Sequence, residues 1–149
     1  MKLENEIQQK EFTNQYQKAI INIIFTNNWL MQRQSALFKP YDITAQQYNI
    51  LRILRGQHPK PATIKLLKER MLDKMSDVSR LVEKLRLKGL VDRFICPVNR
   101  RNVDVSITDK GLEILSRMDK HRSEMEDLLT GLDIEEIKTL NDLLDKLRR

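Results

Sequence analysis

A mainly α (α+β) fold is predicted by three observations: helically spaced apolar residues toward both ends of the chain, capping signals that start several helices, and a pair of strand-like runs between them. Of 149 residues 32% are charged and only 5% aromatic, with four Gly and four Pro, a composition that suits helices better than a sandwich or barrel. That length holds one core but not two independent ones plus a linker, so residues 1–149 are expected to form a single unit.

From about Lys10 to Leu37 the residues Phe12, Tyr16, Ile20, Ile23, Leu30 and Leu37 recur mainly three, four or seven positions apart, which predicts a long amphipathic helix ended by Pro40. Thr44 with Gln47 three residues on forms a capping box, and Ile43 with Tyr48 a hydrophobic staple. A helix follows to Arg55, with Tyr48, Leu51 and Leu54 inward and Gly56 and Pro59 as its stop. A short helix from Ile64 to about Met71 turns Leu67 inward and leaves Lys65, Lys68 and Arg70 to solvent or phosphate. After a turn around Asp73, a helix from about Ser76 to Lys88 carries Val78, Leu81, Val82 and Leu85 on one face and closes at Gly89.

The pattern then changes. Leu90–Cys96 and Val103–Ile107 read as strands, the second alternating Val103, Val105 and Ile107 inward with Asp104 and Ser106 outward. Between them lies a polar, doubly basic tip, Pro97 to Asn102, so a protruding hairpin is expected. Thr108 caps a long helix carrying Leu112, Leu115, Met118, Met125 and Leu128 to near Gly131. Asp133 with Glu136, and Leu132 with Ile137, start a last helix striped by Leu140, Leu143, Leu144 and Leu147.

Several function classes drop out. No run approaches the ~18 apolar residues of a membrane span, and Met1-Lys2-Leu3-Glu4 lacks a signal peptide's apolar region, so a cytoplasmic protein with no membrane partner is expected. Cys96 is the only cysteine, and His58 and His121 stand far apart, so neither a disulfide nor a metal site is expected, nor any cofactor. There is no Gly-rich phosphate loop and no Ser/His/Asp or Cys/His set, which argues against an enzyme.

Charge is concentrated. Between Lys65 and Arg101 there are 11 Lys/Arg against 5 Asp/Glu, while the remaining residues balance at 16 against 16. An excess confined to one quarter of the chain marks a candidate anion-binding face. Helix, turn, basic helix and Arg-tipped hairpin together form a winged helix-turn-helix, expected over residues 44–107, whose second helix fits the major groove of double-stranded DNA. Setting Val78, Leu81 and Leu85 inward turns Ser76, Asp77, Arg80, Glu83 and Lys84 outward, with Ser79 at the flank. Arg80 is the leading base reader, because a guanidinium donates twice to guanine O6 and N7; Lys74 and Lys84 suit phosphate. Asp77 and Glu83 would have to accept from a base amino group or orient Arg80. At the tip, Arg100 or Arg101 suits a narrow minor groove.

The runs Val78-Ser79-Arg80-Leu81-Val82-Glu83-Lys84-Leu85, Lys88-Gly89-Leu90-Val91-Asp92-Arg93, Asn99-Arg100-Arg101 and Ile107-Thr108-Asp109-Lys110-Gly111 resemble the MarR family of bacterial transcriptional regulators, and the resemblance spans the chain. It implies a homodimer paired through residues 1–38 and 108–149, with Leu132-Asp133-Ile134-Glu135-Glu136-Ile137 at the start of the last helix. It also implies a pseudo-palindromic operator, a role as repressor, and a small-molecule effector between the DNA-binding and dimer regions. One residue departs: the family's wing usually carries Asp where Asn99 stands, and that Asp holds the arginine matched by Arg101. Asn99 lacks the charge, so a looser wing or a direct polar contact of Asn99 with DNA is expected.

Other residues carry plainer readings. Cys96 is read as structural filler rather than a peroxide sensor, since the reactive cysteine of one branch of the family lies in the first helix; His121 as surface or core rim rather than a ligand contact or pH switch; Trp29 and Met31 as core packing rather than the lining of an effector pocket. The alternative to a DNA reader is a winged-helix interaction module docking an acidic protein partner. RNA binding is disfavoured by the scarcity of aromatics for base stacking.

Overall fold

The computed structural model of the protein describes residues 2–95 and 97–149. Cys96, the last residue of the expected first wing strand, lies outside the described residues, and so does Met1. A short helix α1 (Leu3–Glu6) precedes the long α2 (Gln15–Phe38). The sequence pattern places the start of α2 five residues earlier; the helix begins at Gln15 because the Asn14 side chain accepts from the Gln17 N–H at 2.9 Å while the Gln17 side chain takes the Thr13 N–H at 2.7 Å. After a 3-10 turn at Lys39–Tyr41 comes α3 (Ala45–Gln57), started by the expected Thr44/Gln47 capping box with both reciprocal bonds made. Gly56 does not stop α3. It sits inside the helix, and the chain leaves helical geometry at His58, the residue before Pro59, where the proline ring disfavours it.

Strand β1 (Ala62–Thr63) leads into α4 (Ile64–Arg70), capped by Thr63, and a turn leads to α5 (Val78–Leu87). Strands β2 (Val91–Ile95) and β3 (Val103–Ile107) form the expected hairpin, antiparallel with Arg93 opposite Val105; β1 adds to its other edge, giving the order β1-β3-β2. Ile50, Leu51, Leu54, Leu67, Val82, Leu85, Val105 and Leu115 are fully enclosed, so α3, α4, α5 and the sheet share one core.

The helix after the wing is not one piece. It is divided into α6 (Asp109–Met118) and α7 (His121–Glu126), followed by a 3-10 turn at Asp127–Leu129. The backbone dihedrals at Asp119 and Lys120 stay helical, but Arg122 N–H bonds to Asp119 at i−3, so the ladder tightens there and a break replaces the smooth run. At the break, Asp119 takes two bonds from the Arg55 guanidinium, at 2.8 and 3.0 Å, tying α6 to α3. Nearby, the Tyr41 hydroxyl lies 3.1 Å from His121 Nε2, and His121 Nδ1 2.7 Å from Glu124, so His121 is a half-buried junction residue rather than plain surface.

The Arg55 hydrogen bonds hold the Asp119 carboxyl below its ordinary value. A carboxylate depressed in the folded state stabilises it above the unfolded pKa, and that contribution disappears as pH falls through the folded value. Both side chains are partly exposed, so Asp119→Ala should cost only about 0.5–1 kcal/mol near neutrality. Urea denaturation should show the difference at pH 7 and a smaller one near pH 3.

The last helix, α8 (Ile134–Leu147), starts at Asp133 with the expected Glu136 capping box. It has no buried residue: Ile134, Leu143 and Leu147 are 67, 58 and 63% exposed, as are Tyr16 and Ile20 of α2 at 84 and 60%. Much of the apolar stripe at each end of the chain is therefore uncovered. No helix among the described residues is long and apolar enough to cross a membrane.

Candidate nucleic-acid interface

The segment between α4 and α5 is fixed by short-range bonds. Leu72 N–H reaches the Asn49 side chain at 2.9 Å, Met75 N–H the Asp73 carboxylate at 2.9 Å, and Lys74 Nζ the Glu69 carbonyl at 2.6 Å. Lys74 thus caps the end of α4 while its side chain remains at the surface. Ser76 and Asp77 precede α5 rather than opening it. Asp77 is the N-cap and accepts from the Arg80 N–H at 3.1 Å, so its carboxylate serves the helix end. Ser76 is half-buried, its hydroxyl enclosed and without a hydrogen-bond partner among the described residues.

Along α5, Val78, Val82 and Leu85 are buried and Leu81 half-buried. Ser79, Arg80 and Lys84 are exposed. The C-terminus of α5 is pinned: Gly89 closes it at φ +73°, Lys88 Nζ bonds Asp42, and Lys110 Nζ reaches the Lys88 carbonyl at 3.0 Å. Thr108 locks the wing to this point, donating from its hydroxyl to the Gly89 carbonyl at 2.8 Å and from its backbone to the Leu90 carbonyl at 3.1 Å.

At the wing tip, Asn99 Oδ1 accepts from the backbone N–H of Arg101 at 3.1 Å, and its own carbonyl accepts from the Asn102 N–H at 2.9 Å. The asparagine orders the turn through the backbone, and the Arg101 guanidinium has no partner among the described residues. Arg100 and Arg101 are exposed.

Pairing sorts the cations. Among the described residues, the side chains of Lys65, Lys68, Arg70, Arg80, Lys84, Arg100 and Arg101 make no ion pair, whereas Arg86 and Arg93 approach Glu83 and Lys88 approaches Asp42. Glu83 is therefore engaged within the protein, and the Arg86 hydrogen bonds hold its carboxyl below the ordinary range. Arg93 was not singled out by sequence because only the fold brings a strand residue beside this helix, whereas Arg86 was missed although its i+3 spacing from Glu83 marks the pair. An open cleft of about 1050 Å³ runs between α2, the start of α3 and the end of α5, lined by Met31, Lys39, Ile43, Gln47, Lys84 and Lys88. Met31 is exposed on its wall rather than packed in the core; Trp29 is half-buried beneath the Arg33 guanidinium.

Two short helices joined by a fixed turn, with a hairpin beside the second, define a winged helix-turn-helix protein. The sequence model of the MarR family matches residues 43–103. A MarR transcription factor from Planctomyces limnophilus is 30% identical, with 91% of this chain and 98% of that one covered and a TM-score of 0.71. The chain belongs to the MarR family, whose members are transcription factors rather than enzymes. At 23% identity the fold is shared with Staphylococcus aureus MepR in its complex with DNA (TM-score 0.76; 92 and 97% covered). At 22% it is shared with Bordetella bronchiseptica BpsR, whose DNA binding is regulated by 6-hydroxynicotinic acid (TM-score 0.70; 86 and 99% covered).

Proposed function

We propose that this transcription regulator works in the cytoplasm as a homodimeric repressor that grips a pseudo-palindromic double-stranded operator, with residues 44–107 as its DNA-binding lobe and residues 1–38 and 108–149 as its dimer region. The observation that carries the reading is the run of cations, unpaired among the described residues, from α4 through Arg80 and Lys84 to the Arg100-Arg101 tip, where others nearby approach carboxylates. Arg80 and Ser79 are assigned to base edges, and Lys74 and Lys84 to phosphate. Arg100 and Arg101 enter the minor groove, with Asn99 ordering the tip. Asp77 caps the start of the reading helix, and Ser76 stands just before it. The uncovered stripes of α2 and α8 meet their counterparts in a second copy, which sets the two reading helices about 34–36 Å apart, one DNA turn.

Ligand response is assigned to the cleft between α2 and α5, whose wall includes Lys84. A small molecule that fits the cleft in only one spacing of the lobes shifts the protein toward that spacing. BpsR and MepR support the two halves of this reading, one by its ligand-regulated DNA binding and the other by its DNA complex.

Selection of duplexes from a random-sequence library tests it: an inverted repeat with half-sites about 10 base pairs apart, bound by two chains, is the expected product. Recovery of no common sequence would sink it. Sedimentation at micromolar concentration should give a dimer. Leu143→Glu, in the exposed stripe of α8, should raise the dimer dissociation constant by at least about tenfold.

A further inference from the structure

Glu83 is an acidic side chain on a helix read above as facing a polyanion, and its surroundings account for it. Its carboxylate takes two bonds from Arg86, one turn along α5: from Nε at 2.9 Å and Nη2 at 2.8 Å. Its second contact is Arg93 of β2, whose Nη1 stands 4.0 Å away. At about 100° per residue, Glu83 lies about 60° around the helix from Arg80 and Arg86 about 120° in the same sense, toward the edge where α5 meets β2. Both arginine side chains remain more than 40% exposed. Of the five N–H donors of Arg86, Glu83 takes two. The rest stay available to an acceptor outside the protein.

We propose that Glu83 is a positioning residue for DNA recognition: it gathers Arg86 of the reading helix and Arg93 of the wing's first strand onto one edge, where their free donors clamp a phosphate lying between the two grooves. The inference rests on the DNA-reading proposal and adds to it an electrostatic approach of the wing's first strand to the reading helix. A guanidinium held by a bidentate carboxylate presents its remaining donors in one orientation, so less freedom is lost when phosphate arrives. Release from Glu83 would leave Arg86 a mobile cation that binds any duplex backbone without registering the protein on one sequence.

This makes a prediction opposite in sign to simple charge counting. Removing a negative charge from a DNA-facing helix should, by charge alone, tighten binding to every duplex. Under the positioning role, Glu83→Gln weakens binding to the library-selected duplex by about fivefold and leaves or tightens binding to a scrambled duplex of equal length. In an Arg86→Ala background the same substitution should weaken binding to the selected duplex by less than about twofold, since only the distant Arg93 contact remains. Fluorescence anisotropy on both duplexes reads these changes, and circular dichroism melting checks that each variant is folded. Tighter binding of Glu83→Gln to both duplexes, or an unaltered loss in the Arg86→Ala background, would overturn the positioning role. Equal binding of both duplexes by wild type would overturn the DNA-reading proposal and this inference with it.

Discussion

Replacing Gly111 by alanine is expected to destabilise the fold by about 3 kcal/mol, the upper end of what overpacking usually does. A Cβ at this position would lie 2.3 Å from the Leu90 carbonyl oxygen and 2.7 Å from Ile107 Cγ1. Neither neighbour can retreat. The Leu90 carbonyl accepts the Thr108 N–H, and Ile107 is the last paired residue of β3, opposite Val91. Gly111 itself bonds to the Thr108 hydroxyl that caps α6. The added methyl must therefore part the wing from α6 at the seam that closes the core. Gly56→Ala makes the contrast: nothing lies within 4 Å of its Cβ inside α3, so alanine should add about 0.5 kcal/mol by its higher helix propensity. Urea denaturation of both variants separates the effects, and a Gly111→Ala midpoint equal to wild type would contradict this account of the seam.

Arg80→Ala should cost about 1–3 kcal/mol in operator affinity and relax discrimination at one position, because a guanidinium is the group that reads guanine bidentately. Its backbone already supports the assignment: Asp77 holds the Arg80 N–H, so the α5 turn that presents the side chain is fixed while its guanidinium makes no ion pair among the described residues. Lys84→Ala is expected to behave differently, weakening selected and scrambled duplexes alike and lowering the salt slope by about 1. Anisotropy titrations of both variants at several salt concentrations distinguish a base reader from a phosphate ligand. Equal losses on all sequences for Arg80→Ala would remove it from base reading.

Local signals were readable wherever a residue acts within a few positions of itself. The Thr44/Gln47 and Asp133/Glu136 boxes, the Gly89 closure and the hairpin all depend on neighbours in sequence, and they form as the pattern implies. What escaped depends on partners far along the chain. The two residues of β1 are too short to show a period and exist because β3 offers them an edge. The break after Met118 is not visible in the apolar pattern, and its clamp, Arg55, lies 64 residues away.

The site divides in the same way. A basic segment and an outward helix face were legible from charge and spacing alone. Which cations remain unpaired was not, since Glu83 meets Arg93 only after α5 docks on β2. The bond that the Asn99 side-chain oxygen accepts from the Arg101 backbone is one that an Asx turn makes without charge.

The central claim is that the face of α5 around Arg80 reads base sequence in the major groove. The most direct measurement is the affinity of wild-type protein for its library-selected duplex against a scrambled duplex of the same length and composition, at physiological salt. The account predicts a preference of at least about a thousandfold, the scale on which specific readers separate from backbone binding. Equal affinity for the two would contradict it.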